Sequence, residues 1–232
     1  MINKKTLSPT LQGKQMTAFG LQRRNMLKFF GASAAIITIG SACSDDDSPP
    51  ASNTGVNLGS GDIGILNYAY ALEQLEAAFY LRAAASPYSG ITATETAYLN
   101  DIRDHEVAHR EFFKAALASN AIGNLEVDFS TINFGSRDSV LGAARTFEDL
   151  GVSAYNGAGQ LLVDPIYLLL AGKIVSVEAR HAATIRELLA PNSFADTTDV
   201  NGLDVALMPL QVLAAADTYI VTQINASNLP TS

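Results

Sequence analysis

Two short motifs carry the chemistry of this 232-residue chain: Glu106-Val107-Ala108-His109 and Glu178-Ala179-Arg180-His181. Both have the spacing Glu-x-x-His. On a helix, residues three apart share a face, so each motif aims one carboxylate and one imidazole at the same point. The chain has nine glutamates and three histidines, and two of those histidines have a glutamate three residues earlier. Random placement gives that in under about 1% of chains of this composition. Glu73 and Glu148 offer one further carboxylate from each of two other segments. Taken singly, each residue has an ordinary reading, as a solvated helix carboxylate or a satisfied core histidine. Buried together without a metal, four carboxylates and two imidazoles would carry a prohibitive desolvation cost. Carboxylate and imidazole ligands suit iron or manganese.

A faint internal repeat bears on which carboxylates belong to the set. Glu73-Gln-Leu-Glu-Ala-Ala-Phe-Tyr80 and Glu148-Asp-Leu-Gly-Val-Ser-Ala-Tyr155 share the glutamate, a leucine two residues on and a tyrosine seven residues on. In this register Glu76 corresponds to Gly151, which has no side chain to bind with, so Glu73 is the better ligand. A rival register favours Glu76, because Glu76 precedes Glu106 by the same interval as Glu148 precedes Glu178. Glu76, Tyr80 and Tyr155 are therefore candidates for positions just outside the ligand set. The tyrosines would either donate hydrogen bonds to ligands or pack in the core. His105 falls on a different face from Glu106 and reads as an exposed residue near Asp101.

The elements that must position these residues are helical. Apolar residues recur at helical spacing from Asp62 to about Ala85, and Ser86-Pro87 and Ser89-Gly90 end that segment. Thr92-Ala-Thr-Glu95 is a capping box opening a second helix that runs to about Ala118. A long polar connection, Ser119 to Gly135, leads to a third helix from Ser136 to about Gly157. Asp164-Pro165 pairs an N-cap with proline at the first helical position, and the fourth helix extends to about Leu189. Pro191 to Asn201 reads as a loop. Leu203 to about Ala226 offers a fifth helix interrupted by Pro209, and no strand is expected.

The N-terminal 43 residues are of another kind. Before Cys43 there are six basic residues and no acidic one; after it there are nine basic and 23 acidic. An uncharged run, Phe29 to Ala42, separates these regimes and is too short to span a bilayer comfortably. A basic segment, a short apolar run and small residues before a boundary describe a secretory signal. Arg23-Arg24-Asn25-Met26-Leu27-Lys28 resembles a twin-arginine export signal, a type used for folded proteins that often already carry a cofactor. Gly40-Ser41-Ala42-Cys43 resembles a lipobox, with Gly40 where a larger aliphatic residue is usual, and makes Cys43 a lipidation site. Ser44-Asp45-Asp46-Asp47 is similar to the acidic surface-export signal of Bacteroidetes lipoproteins. Residues 1–43 thus read as a leader, 44–60 as a flexible acidic tether and 61–232 as the folded domain. The expected location is the membrane, through the lipid anchor, on the periplasmic side or the cell surface. The acidic balance excludes an extended nucleic-acid surface, and a single cysteine excludes a disulfide framework.

A Glu from each of two helices and Glu-x-x-His from each of the other two is the arrangement of di-iron and di-manganese carboxylate bundles. The stretches ILNYAYALEQLEAAFYLR, IRDHEVAHREFFKAAL, FEDLGVSAYNGAG and IVSVEARHAATIRELL resemble the ferritin-like superfamily, and within it the family that includes desiccation-related proteins. The resemblance implies an all-α four-helix bundle with a long crossover between helices 2 and 3, followed by the C-terminal fifth helix. It also implies a dinuclear iron or manganese centre on Glu73, Glu106, His109, Glu148, Glu178 and His181. Two such metals can exchange one electron each with O₂ or peroxide, so a redox site that oxidises Fe²⁺ or reduces peroxide in stress protection is the first expectation. The second is a non-catalytic, lipid-anchored protective or binding protein with a structural metal or none. Iron storage in a closed cage fits poorly with an anchor on every subunit. Apolar positions on the fifth helix leave room for a homodimer.

Overall fold

The computed structural model describes residues 54–231. The twin-arginine leader, Cys43 and the first part of the tether lie outside the described residues. Four long helices make the body of the fold: α1 (Gly61–Ala85), α2 (Ala93–Leu117), α3 (Arg137–Ala158) and α4 (Pro165–Leu189). Short connections join α1 to α2 and α3 to α4, so each pair packs antiparallel, while α1 also meets α3 and α2 meets α4. The long crossover falls between α2 and α3, as expected from the polar stretch there.

Local chemistry sets the helix ends. Thr92 Oγ1 accepts from Glu95 N at 3.1 Å and Glu95 Oε2 accepts from Thr92 N at 2.9 Å, closing the capping box at the start of α2. Asp164 Oδ1 accepts from Ile166 N at 2.8 Å ahead of Pro165, whose missing N–H costs nothing at that position. The Asp62 carboxylate, in the first turn of α1, accepts from Val163 N and Asp164 N, both at 2.8 Å, and ties the starts of α1 and α4 together. None of the helices among the described residues is long and apolar enough to cross a membrane.

Three expectations are corrected outside the four-helix body. The fifth helix is only α5 (Pro209–Ala216). Pro209 opens this helix instead of interrupting it, because the residue before a proline is driven out of the helical region. Two short strands exist: β1 (Val56–Asn57) and β2 (Ile224–Asn225), paired in parallel with Val56 opposite Ile224. Ordered structure therefore begins before Gly61. Val56–Asn57 form a strand and Leu58 is fully buried, although the Ser/Gly/Asn-rich composition assigned them to the tether.

Helix α1 is the most deeply buried of the four long helices, with a continuous buried run from Gly64 to Ala77. Within that run only Asn67, Glu73, Gln74 and Glu76 interrupt residues that are otherwise apolar or aromatic, as a helix covered on every side requires. Around Phe79 the core is aromatic: Phe79 meets Tyr80 and Phe147 edge-to-face, each at 5.0 Å, with Phe129 and Phe134 of the crossover closing over it. Two buried amides hold the crossover against α1. Asn67 Nδ2 donates to Leu58 O and Asn120 O while its Oδ1 accepts from Ile122 N. Gln74 Nε2 donates to Gly123 O and its Oε1 accepts from Leu125 N. Gly157 allows another close approach, since a Cβ there would stand 1.8 Å from Leu207 O.

Asn67→Ala strands three backbone groups that this side chain pairs. It should lower unfolding stability by about 1–3 kcal/mol in a denaturant titration. An unchanged midpoint would contradict this account of the crossover.

Candidate metal centre

The four long helices bring six side chains to one place. Glu73 comes from α1, Glu106 and His109 from α2, Glu148 from α3, and Glu178 and His181 from α4. All four glutamates are fully buried. Their ligand atoms fall into two groups, Glu73/Glu106/His109/Glu178 and Glu106/Glu148/Glu178/His181, each with its four atoms within 4.8 Å of one another. Glu106 and Glu178 belong to both. His109 Nδ1 lies 2.9 Å from Glu178 Oε1, 3.5 Å from Glu73 Oε2 and 3.7 Å from Glu106 Oε2. His181 Nδ1 repeats the pattern at 2.8 Å from Glu106 Oε1, 3.4 Å from Glu148 Oε2 and 3.7 Å from Glu178 Oε2.

The orphaned atoms test whether these residues fit a metal pair. Eight of the cluster's buried atoms make no well-aligned hydrogen bond and meet only one another, as close ion pairs: Glu73 Oε2, both oxygens of Glu106, His109 Nδ1, Glu148 Oε2, both oxygens of Glu178 and His181 Nδ1. Buried polar atoms are almost always hydrogen-bonded, so this many converging on one another without aligned hydrogen bonds call for a further partner. They divide into four for each group, with Glu106 and Glu178 giving one oxygen to each. Four carboxylate charges also match the charge of two divalent ions. The donor set fits.

The remaining oxygen of each terminal carboxylate is held by a tyrosine from the opposite pair of helices. Tyr80 Oη, on α1, donates to Glu148 Oε1 at 2.5 Å, and Tyr155 Oη, on α3, donates to Glu73 Oε1. The two segments aligned by the sequence repeat thus trade hydrogen bonds across the site. Burial, followed by the charge of the carboxylate each one serves, pushes both phenols well above their ordinary range and keeps them donors. Each tyrosine leaves its glutamate one free oxygen, aimed at the cluster.

Glu76 is buried beside the cluster but belongs to neither group. A Cβ at residue 151 would stand 2.9 Å from Glu76 Oε1, so the glycine there makes room for this carboxylate. Burial, then the charges of Glu106, Glu178, Glu148 and Glu73, raises the Glu76 carboxyl well above its ordinary value. His105 is exposed, as expected, but it also has a partner on another helix: its Nδ1 lies 2.9 Å from His181 Nε2 with the rings within 10° of parallel. The sequence held a partial signal, since His105 and His109 are one helical turn apart. The partner, on another helix, could not be read from spacing.

Residues 61–191 match the family described as Ferritin-like domain, over more than half of the chain, and the chain belongs to that family. Among curated proteins none matches it. Family membership accounts for the bundle, and the buried acid and histidine cluster is compatible with a two-metal site.

Without metal, protons must supply the positive charge. Burial opposes charge on His109, but the carboxylates of Glu106, Glu178 and Glu73 outweigh it and push the imidazole up to about 12. His181 rises to about 12 in the same way through Glu106, Glu148 and Glu178. Burial lifts the Glu148 carboxyl to about 8, against the opposing pull of His181. Groups raised in the folded state contribute stability below their unfolded values and lose it as pH climbs through the folded ones. For the histidines that window runs from 6.5 to about 12, and for Glu148 from 4.5 to about 8. The unfolding temperature of the metal-free protein should therefore fall as pH is raised from about 6.5 to about 9. Added Mn²⁺ should restore more stability at the higher pH, because it displaces those protons. A metal-free unfolding temperature that is flat or rises over this range would contradict the electrostatic account.

Proposed function

We propose that this protein is an exported, lipid-anchored member of the ferritin-like family whose bundle holds two iron or manganese ions as a redox centre, oxidising Fe²⁺ or reducing peroxide or O₂ in protection against oxidants. The observation that carries the reading is the division of eight buried ligand atoms, which meet only one another, into two groups of four. Glu73, Glu106, His109 and Glu178 would hold one ion and Glu106, Glu148, Glu178 and His181 the other. Oxygen-rich sets with one imidazole per ion favour iron and manganese over softer-ligand metals. In the bound state the pair would supply two one-electron steps, which with two protons take peroxide to two waters.

The chain's own residues prepare the site for this work. Tyr80 and Tyr155 hold the terminal carboxylates in one orientation, so the ligands need little rearrangement when an ion enters. The fully buried glutamates keep bulk water from competing for the same oxygens. The twin-arginine resemblance of residues 23–28 and the lipobox resemblance around Cys43 support loading of the metal before export and attachment to the membrane afterwards.

The test uses the full chain titrated with Fe²⁺ under anaerobic conditions and then exposed to peroxide. Uptake of two ions per chain and oxidation faster than in buffer alone are expected. Glu106→Ala should abolish uptake with helix content retained, since it removes a carboxylate common to both groups. No uptake by the unaltered chain, or normal stoichiometry in Glu106→Ala, would overturn the reading.

A further inference from the structure

We infer that His105 is a positioning residue for one half of the centre: it accepts a hydrogen bond from His181 Nε2–H, holds that ring in the tautomer whose Nδ1 faces the carboxylates, and so makes the two metal positions unequal. This rests on the metal-site reading above.

The geometry assigns the roles. His181 Nδ1 points into the cluster, 2.8 Å from Glu106 Oε1, and must present a lone pair there to bind a metal. The ring proton then sits on Nε2. The group facing Nε2 is His105 Nδ1 at 2.9 Å, with the two rings within 10° of parallel. His105 Nδ1 is therefore the acceptor, and its own proton sits on Nε2. An acceptor fixed to the outer nitrogen of a metal-binding imidazole orients the ring and strengthens the inner nitrogen as a donor.

The other half has no such device. Among the described residues no side chain or backbone group makes a hydrogen bond to His109 Nε2. The rest of the two halves correspond closely, down to the exchanged tyrosines. With Glu76, whose counterpart is Gly151, His105 is what distinguishes them, and of the two it is the one that touches a histidine of the cluster.

The experiment is a calorimetric titration of the full chain with Mn²⁺, comparing wild type, His105→Phe and His105→Asn. Phenylalanine keeps a flat ring against His181 but offers no acceptor; asparagine places Oδ1 near the position of Nδ1 and accepts. Wild type should bind two ions with unequal affinity. His105→Phe should weaken the tighter step by about 10–100-fold and leave the other unchanged, while His105→Asn should recover most of that loss. A purely structural role would move both steps together, or leave the Asn variant as weak as the Phe variant. Either result overturns the inference, as do two unchanged steps in His105→Phe. Absence of any Mn²⁺ binding in wild type would instead overturn the metal-site reading on which it stands.

Discussion

Four glutamate side chains with no exposure to solvent meet at the centre of this bundle, and their charge must be answered where they stand. Water cannot do it, and among the described residues no lysine or arginine pairs with the cluster. In the metal-free molecule the answer is protonation: His109 and His181 hold their charge far above the ordinary range, and Glu73, Glu76 and Glu148 are pushed toward the neutral acid. Two divalent ions would replace those protons and satisfy every orphaned oxygen at once. Much of the surrounding structure follows from this constraint. Long, rigid helices fix the carboxylates, the tyrosines cap the oxygens that face away, and a glycine at position 151 makes room for the one carboxylate that stays outside.

The site is built from two copies of one idea. Helices α1 and α3 each supply a terminal glutamate and a tyrosine, and each tyrosine serves the glutamate of the other helix. Helices α2 and α4 each supply Glu-x-x-His, and each histidine lies nearest the glutamate of the other motif. The exchange means that neither helical pair completes half of the centre alone, so the site itself ties the pairs together. The correspondence breaks at Glu76, whose counterpart is Gly151, and at His105, which backs only His181.

What could be read from the sequence was local. The capping box at Thr92 and the Asp164-Pro165 start lie within a few residues of the backbone groups they satisfy, so the ends of α2 and α4 were legible to within a residue or two. Glu-x-x-His was legible because helix geometry alone places both side chains on one face. The repeat separated Glu73 from Glu76 because a missing side chain is visible in sequence. Partners from other segments were not legible. The pairing of Val56–Asn57 with Ile224–Asn225 turned an apparent tether into ordered structure, and the approach of Leu207 to Gly157 left no mark in periodicity. The hydrogen bond between His105 and His181 joins residues whose helices meet only in the folded bundle.

The most direct test of the central claim is anomalous diffraction from crystals of the protein loaded with Mn²⁺ or Fe²⁺. The account predicts two peaks at the bundle centre, one bounded by Glu73, Glu106, His109 and Glu178 and the other by Glu106, Glu148, Glu178 and His181. Absence of both peaks from crystals soaked at saturating metal, or ions bound only elsewhere on the acidic surface, would contradict it.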